Sequence, residues 1–153
     1  MRYAVITVDG ELTQHDGELD WPAVIGVERK ARVPLRLGIA ASGWVNSVGL
    51  LYPAKYPRNV IGSCVLIALG ARVQPYAGPV VLTGWNPRSL PEICSLPKPV
   101  DFLDTVHGDV VKALAGQTPR ELSPSWAEQM REIADHVRTA PTPGFTVRTV
   151  KLP

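Results

Sequence analysis

Proline is the residue that most constrains this chain. Fifteen of its 153 positions are proline, about twice the usual share of about 5%. Each one removes a backbone donor and fixes φ, so long helices and long central strands are interrupted before they form. The fold must consist of short elements joined by turns. Apolar residues at 45% and charged residues at 20% are the values of a chain that buries a core, and the length suits one domain spanning 1–153.

Pattern then separates strands from helices. Tyr3, Val5 and Thr7 alternate with Ala4, Ile6 and Val8, as in a strand with a buried face. The polar run from Gly10 to Gly17 reads as a loop, and Asp20-Trp21-Pro22 as the start of a short helix ended by Gly26. Residues 31–39 alternate, with Val33, Leu35, Leu37 and Ile39 on one face and Arg32, Pro34 and Arg36 on the other; Pro34 suggests an edge strand. Ser42 to Tyr52 reads as a tight hairpin turning over Asn46–Gly49. Cys64–Leu69, inside the apolar run Val60–Ala71, and Pro79–Thr83 are expected to be two more strands. The triplets Ser42-Gly43-Trp44 and Thr83-Gly84-Trp85 read as turn chemistry at strand ends, with paired aromatic platforms as the sharper alternative.

Helical patterns come late. Ser89-x-x-Glu92 reads as a capping box for a short helix through Cys94. Leu103, Val106, Val110 and Leu114 recur at helical spacing before Gly116. Ser123 as N-cap and Pro124 as N1 open a helix striped by Trp126, Met130, Ile133 and Val137, closed by Pro141 and Pro143. Phe145–Leu152 reads as a last strand. The expected class is α+β: short, mostly antiparallel strands in the first two thirds and two amphipathic helices in the last third, covering one face.

No apolar run reaches the length of about 20 residues that a membrane span needs, and the N-terminus lacks the form of a signal peptide. The cytoplasm is the expected compartment. Cys64 and Cys94 have no metal-type spacing and Cys64 is expected to be a buried free thiol. No P-loop, G-x-S-x-G or G-x-G-x-x-G is present, and no cofactor or metal is indicated. The one His–carboxylate arrangement suited to a general base is Asp104 with His107 at i, i+3, which is equally the composition of an ordinary polar helix face.

The net charge of +2 conceals a segregation. Residues 1–28 hold one cation against six acids, a net of −5; residues 29–91 hold eight cations and no acid; residues 92–153 hold seven cations and eight acids. The basic stretch also carries Trp44, Tyr52, Tyr56, Tyr76 and Trp85. Cations hold phosphate oxygens and aromatic faces stack bases, so this combination suits a nucleic acid or nucleotide. The bland alternative is that these cations pair with the acidic N-terminal segment. Arg32, Arg36, Lys55, Arg58 and Arg72 are the candidate anion-binding residues, with Trp44 and Tyr56 as stacking candidates.

Within that stretch, Trp44-Val45-Asn46, Gly49-Leu50-Leu51, Pro57-Arg58-Asn59, Ile61-Gly62 and Gly78-Pro79-Val80-Val81-Leu82-Thr83-Gly84 follow in order. The pattern resembles a small family of phage, plasmid and actinobacterial proteins classed as a domain of unknown function. Arginine outnumbers lysine 11 to 5, which suits a GC-rich genome. The resemblance covers about residues 43–84 and implies an accessory or regulatory protein of a mobile element; it carries over no catalytic residue. A protein–protein module, such as an inhibitor of a host factor acting through a sheet edge or the Trp-bearing turns, is the second reading. A small enzyme using His107 and Asp104 is the third.

Overall fold

The computed structural model describes residues 1–36, 39–98 and 101–142. Their strands are β1 (Arg2–Ile6), β2 (Leu12–Asp16), β3 (Lys30–Pro34), β4 (Ala41–Asn46), β5 (Val80–Trp85) and β6 (Ile93–Cys94). Their helices are α1 (Trp21–Ile25), α2 (Val60–Ala68), α3 (Asp101–Leu114) and α4 (Pro124–Thr139). All six strands form one antiparallel sheet in the order β2-β1-β5-β4-β3, with β6 paired to the far end of β5. The class is α+β, as the order of sequence patterns implies.

Alternation along the strands builds two unlike faces. Ala4 and Ile6 of β1, Val33 of β3, Val45 of β4, and Val80 and Leu82 of β5 point into one core, where α2, α3 and α4 pack on the sheet and on each other. Two glycines make this packing close. A Cβ on Gly43 would lie 2.6 Å from Leu66 Cδ2 of α2, and one on Gly84 would strike the Ser95 carbonyl. The opposite face carries Tyr3, Val5, Trp44 and Val81, covered by Leu19 and by Trp21 and Ile25 of the five-residue α1.

Several local expectations hold. Asp20 caps α1 by accepting from Ala23 N, and Ser123 caps α4 by accepting from Trp126 N. Met130 and Val137 of the α4 stripe are buried, with Trp126 and Ile133 packed against the same core. β3 lies at a sheet edge. Cys64 is a buried free thiol, its pKa pushed up to about 11 by burial, and Cys94 is also free.

Four expectations are corrected. Cys64–Leu69 is not a strand but most of α2; Asn59 caps that helix through Gly62 N and also donates to the Ile6 and Gly78 carbonyls. The segment is apolar throughout because Gly62–Ile67 is buried on every side, so it shows no helical period. Within the supposed loop Gly10–Gly17, Leu12–Asp16 is the edge strand β2, with no buried residue to betray it. Ser42–Tyr52 is not a hairpin: the chain turns at Asn46, whose Oδ1 accepts from Val48 N, and enters a 3-10 turn at Gly49–Leu51, while β4 pairs with β3 and β5. Ser89–Cys94 forms no helix; Ser89 Oγ donates to the Asn86 and Pro91 carbonyls, and Ile93–Cys94 joins the sheet as β6. The strand expected at Phe145–Leu152 lies outside the described residues. Among the described residues no helix is long and apolar enough to cross a membrane.

Candidate ligand-binding face

The two small-Gly-Trp triplets lie inside adjacent central strands, not in turns. Ser42 pairs with Thr83, Gly43 with Leu82 and Trp44 with Val81. This register sends both glycines to the helix side, and sends Ser42, Trp44, Thr83 and Trp85 to the other. Trp44 is 6% exposed and its Nε1 donates to Thr83 Oγ1 at 2.9 Å, so the indole is both buried and satisfied. Its ring lies 5.8 Å from Trp85 and 5.5 Å from Trp21 of α1. Three indoles thus form a row across the sheet, with the two outer ones half-buried.

Cations cover both ends of the row. β3 pairs with β4 so that Arg32 stands opposite Trp44, and its guanidinium carbon lies 4.1 Å above the Trp85 ring. Two residues earlier, on the same face, Lys30 Nζ lies 4.8 Å from the Trp21 ring centre. Both cations are exposed. A hollow of about 420 Å³ opens beside Trp21 and Trp44, with Arg29, Lys30 and Glu28 in its wall. Further along the face, Tyr3 stacks on His15 of β2 at 4.9 Å, and His15 Nε2 meets Thr13 Oγ1 at 2.8 Å.

The seven candidate residues fall into three groups. Arg32 and Trp44 belong to the indole row. Arg36 and Arg72 are exposed and line a groove beside β3, on the helix side of the sheet, whose rim also includes Arg32. Lys55, Tyr56 and Arg58 hold the Pro-rich loop in place. Tyr56 is buried and its hydroxyl donates to Glu28 Oε2 at 2.7 Å; Asn46 Nδ2 donates to the same oxygen at 2.8 Å, and Lys55 Nζ lies 3.4 Å from Oε1. The hydrogen bonds from Tyr56 and Asn46 hold the Glu28 carboxyl down to about 2. Hydrogen bonding with Tyr56 and Glu28 raises the pKa of Lys55, and the bond to Glu28 raises that of Tyr56. Arg58 is half-buried and donates to the Val137 carbonyl in the last turn of α4 at 2.9 Å.

Sequence reasoning left Lys30, Trp21 and Trp85 out of the candidate set. The signal for two of them is the strand period: Lys30 is two residues from Arg32, and the repeated triplets put Trp44 and Trp85 on one face once β4 and β5 pair. Nothing in the sequence alone brings Trp21, on α1, to that row.

Among the described residues the ion pairs are those of the Met1 amino group with Asp16, Lys55 with Glu28, and Arg138 with Asp135. Of the eight cations in residues 29–91, only Lys55 therefore pairs with the acidic N-terminal segment among the described residues. His107 and Asp104 do not bond to each other; His107 Nε2 meets the Gly10 carbonyl at 2.7 Å, and Asp104 accepts from Gln14 Nε2 at 3.1 Å. Both contacts tie α3 to the β1–β2 hairpin. Among the described residues no group of three or more His, Cys, Asp or Glu side chains is placed to hold a metal ion. No family model, no curated protein and no solved structure matches the chain.

Proposed function

We propose that the protein is an accessory or regulatory binding protein of a mobile element or an actinobacterial genome, and that it takes an anionic ligand carrying unpaired bases, a single-stranded nucleic acid or a nucleotide, on the indole face of its sheet. One observation carries the reading: exposed Arg32 and Lys30 lie over the half-buried rings of Trp85 and Trp21, at the two ends of a row whose centre is Trp44. Indole and guanidinium planes stack bases without regard to sequence, and the same cations hold the backbone phosphates. Arg29 and Lys30 in the wall of the adjoining hollow add positive charge where the phosphates would run.

The test is fluorescence anisotropy of a labelled single-stranded oligonucleotide with the intact chain. Two to three phosphate contacts make affinity fall about tenfold between about 50 and 200 mM salt. The paired substitution Lys30→Ala with Arg32→Ala is expected to weaken binding and flatten that salt dependence. Binding that is absent at low salt, or indifferent to salt, contradicts the reading.

A further inference from the structure

The β3 edge of the sheet carries a second feature, built on its backbone and not on the indoles. Ser47 N donates to the Arg29 carbonyl at 2.8 Å, which sets the phase of the β3–β4 ladder. Residues 29, 31 and 33 direct their backbone groups to β4, so Lys30 and Arg32 direct theirs to the open edge. Among the described residues nothing pairs with that edge. Such a row of unmet donors and acceptors is a template for another strand.

Beside it runs a groove of about 440 Å³ whose wall includes Ala31, Val33, Val48, Leu51, Pro75 and Ala77. Asn46, Ser47, Gln74 and Thr142 share the wall with these aliphatic residues, and there is no stacking surface: Tyr76, the aromatic ring in the wall, is 4% exposed and donates its hydroxyl to the Arg72 carbonyl at 2.8 Å. Arg36 and Arg72 line it, and neither makes an ion pair among the described residues. A strand laid on this edge would have aliphatic surface under one set of alternate side chains and Lys30 and Arg32 beside the other set. The last residues of this chain, 143–153, include Arg148 and Lys151 and no acid, although Thr142 lies in the groove wall. Their charge does not complement the groove.

We infer that the β3 edge binds an extended acidic segment of a partner protein as an added antiparallel strand. Its apolar side chains enter the groove on the face of Ala31 and Val33, and its carboxylates stand on the other face, opposite Lys30 and Arg32.

The probe is a labelled peptide of alternating valine and glutamate, titrated with the intact chain and read by anisotropy. The peptide is expected to bind, and its lysine-for-glutamate counterpart is expected to bind at least tenfold more weakly. In the antiparallel register only the residues opposite Lys30 and Arg32 turn their N–H groups toward β3. N-methylation of the glutamates therefore abolishes binding, while N-methylation of the valines leaves it. The pair Lys30→Glu and Arg32→Glu, both at exposed positions, abolishes binding while the chain keeps a cooperative thermal transition. Equal binding of the two methylated peptides, equal binding of the lysine peptide, or binding that appears only after removal of residues 143–153 overturns the inference. The contrast between the two methylated peptides is separate from the oligonucleotide result, because a nucleic acid stacked on Trp21 and Trp85 makes no strand-type hydrogen bonds to the β3 edge.

Discussion

The same strands build both faces of the sheet, yet the faces differ in what covers them and in what they carry. On the helix side, Ala4, Ile6, Val33, Val45, Val80 and Leu82 are aliphatic and closed under α2, α3 and α4. On the other side, Tyr3, Trp44 and Trp85 share space with Arg32 and Lys30 under a single five-residue helix. Three helices suffice to exclude water, so that face tolerates only small or aliphatic side chains packed to crystal-like density. A five-residue helix leaves part of its face wet, which suits side chains with an apolar body and a polar or charged tip. The covered face holds the fold together, and the indole face is the one the proposed ligand would touch.

The largest expected effect lies on the covered face. Leu66 is fully buried and sits against Gly43, so Leu66→Ala removes packing that cannot be recovered by small shifts. It is expected to cost about 2–5 kcal/mol in a denaturant titration. A loss below about 1 kcal/mol would mean that α2 does not close the core. On the indole face the effect moves from stability to binding. Trp85→Ala is expected to weaken oligonucleotide affinity by about 1–3 kcal/mol, the worth of one stacked base. Removing the Arg32 guanidinium with Arg32→Ala should change stability by no more than about 1 kcal/mol, since an exposed cation over a ring contributes only that much.

The smallest effect is one of pH. Glu28 joins the end of α1 to Asn46 of β4 and to the Pro-rich loop, and its carboxyl is held down to about 2 from an ordinary 4.5. A depressed folded-state pKa means that the unfolded chain binds the proton more readily. The contribution of Glu28 is therefore complete above about pH 4.5 and is lost as pH falls through about 2. Melting temperatures of the wild type and Glu28→Gln should differ at neutral pH and converge toward pH 2. A gap that stays constant with pH would show that the carboxylate charge is not what the loop relies on.

What the sequence made legible follows the same division. Capped or patterned elements announce themselves: Asp20-Trp21-Pro22 for α1, Ser123-Pro124 with its stripe for α4, and the alternation of β1 and β3. α2 hid because it is buried all round, which erases the period that marks a helix; Asn59 ahead of it was the signal to weigh. β2 hid for the opposite reason, since Leu12-Thr13-Gln14-His15-Asp16 buries too little to alternate. The candidate set is divided by the fold: Arg32 and Trp44 lie in the indole row, Arg36 and Arg72 lie beside the groove, and Lys55, Tyr56 and Arg58 anchor a loop. A basic stretch shows how much charge there is; only strand register shows which cations share a face.

The four tryptophans supply the most direct test of that division, because Trp21, Trp44 and Trp85 lie on one side of the sheet and Trp126 on α4 on the other. Each gives its own indole N–H signal in a nitrogen–proton correlation spectrum, which can be followed while a single-stranded oligonucleotide is added at low salt. The indoles of Trp21 and Trp85 are expected to shift most, Trp44 less because its Nε1 is held by Thr83, and Trp126 not at all. Movement of Trp126 while Trp21 and Trp85 stay fixed, or four unmoved signals, would contradict the assignment of the indole face as the ligand-binding side.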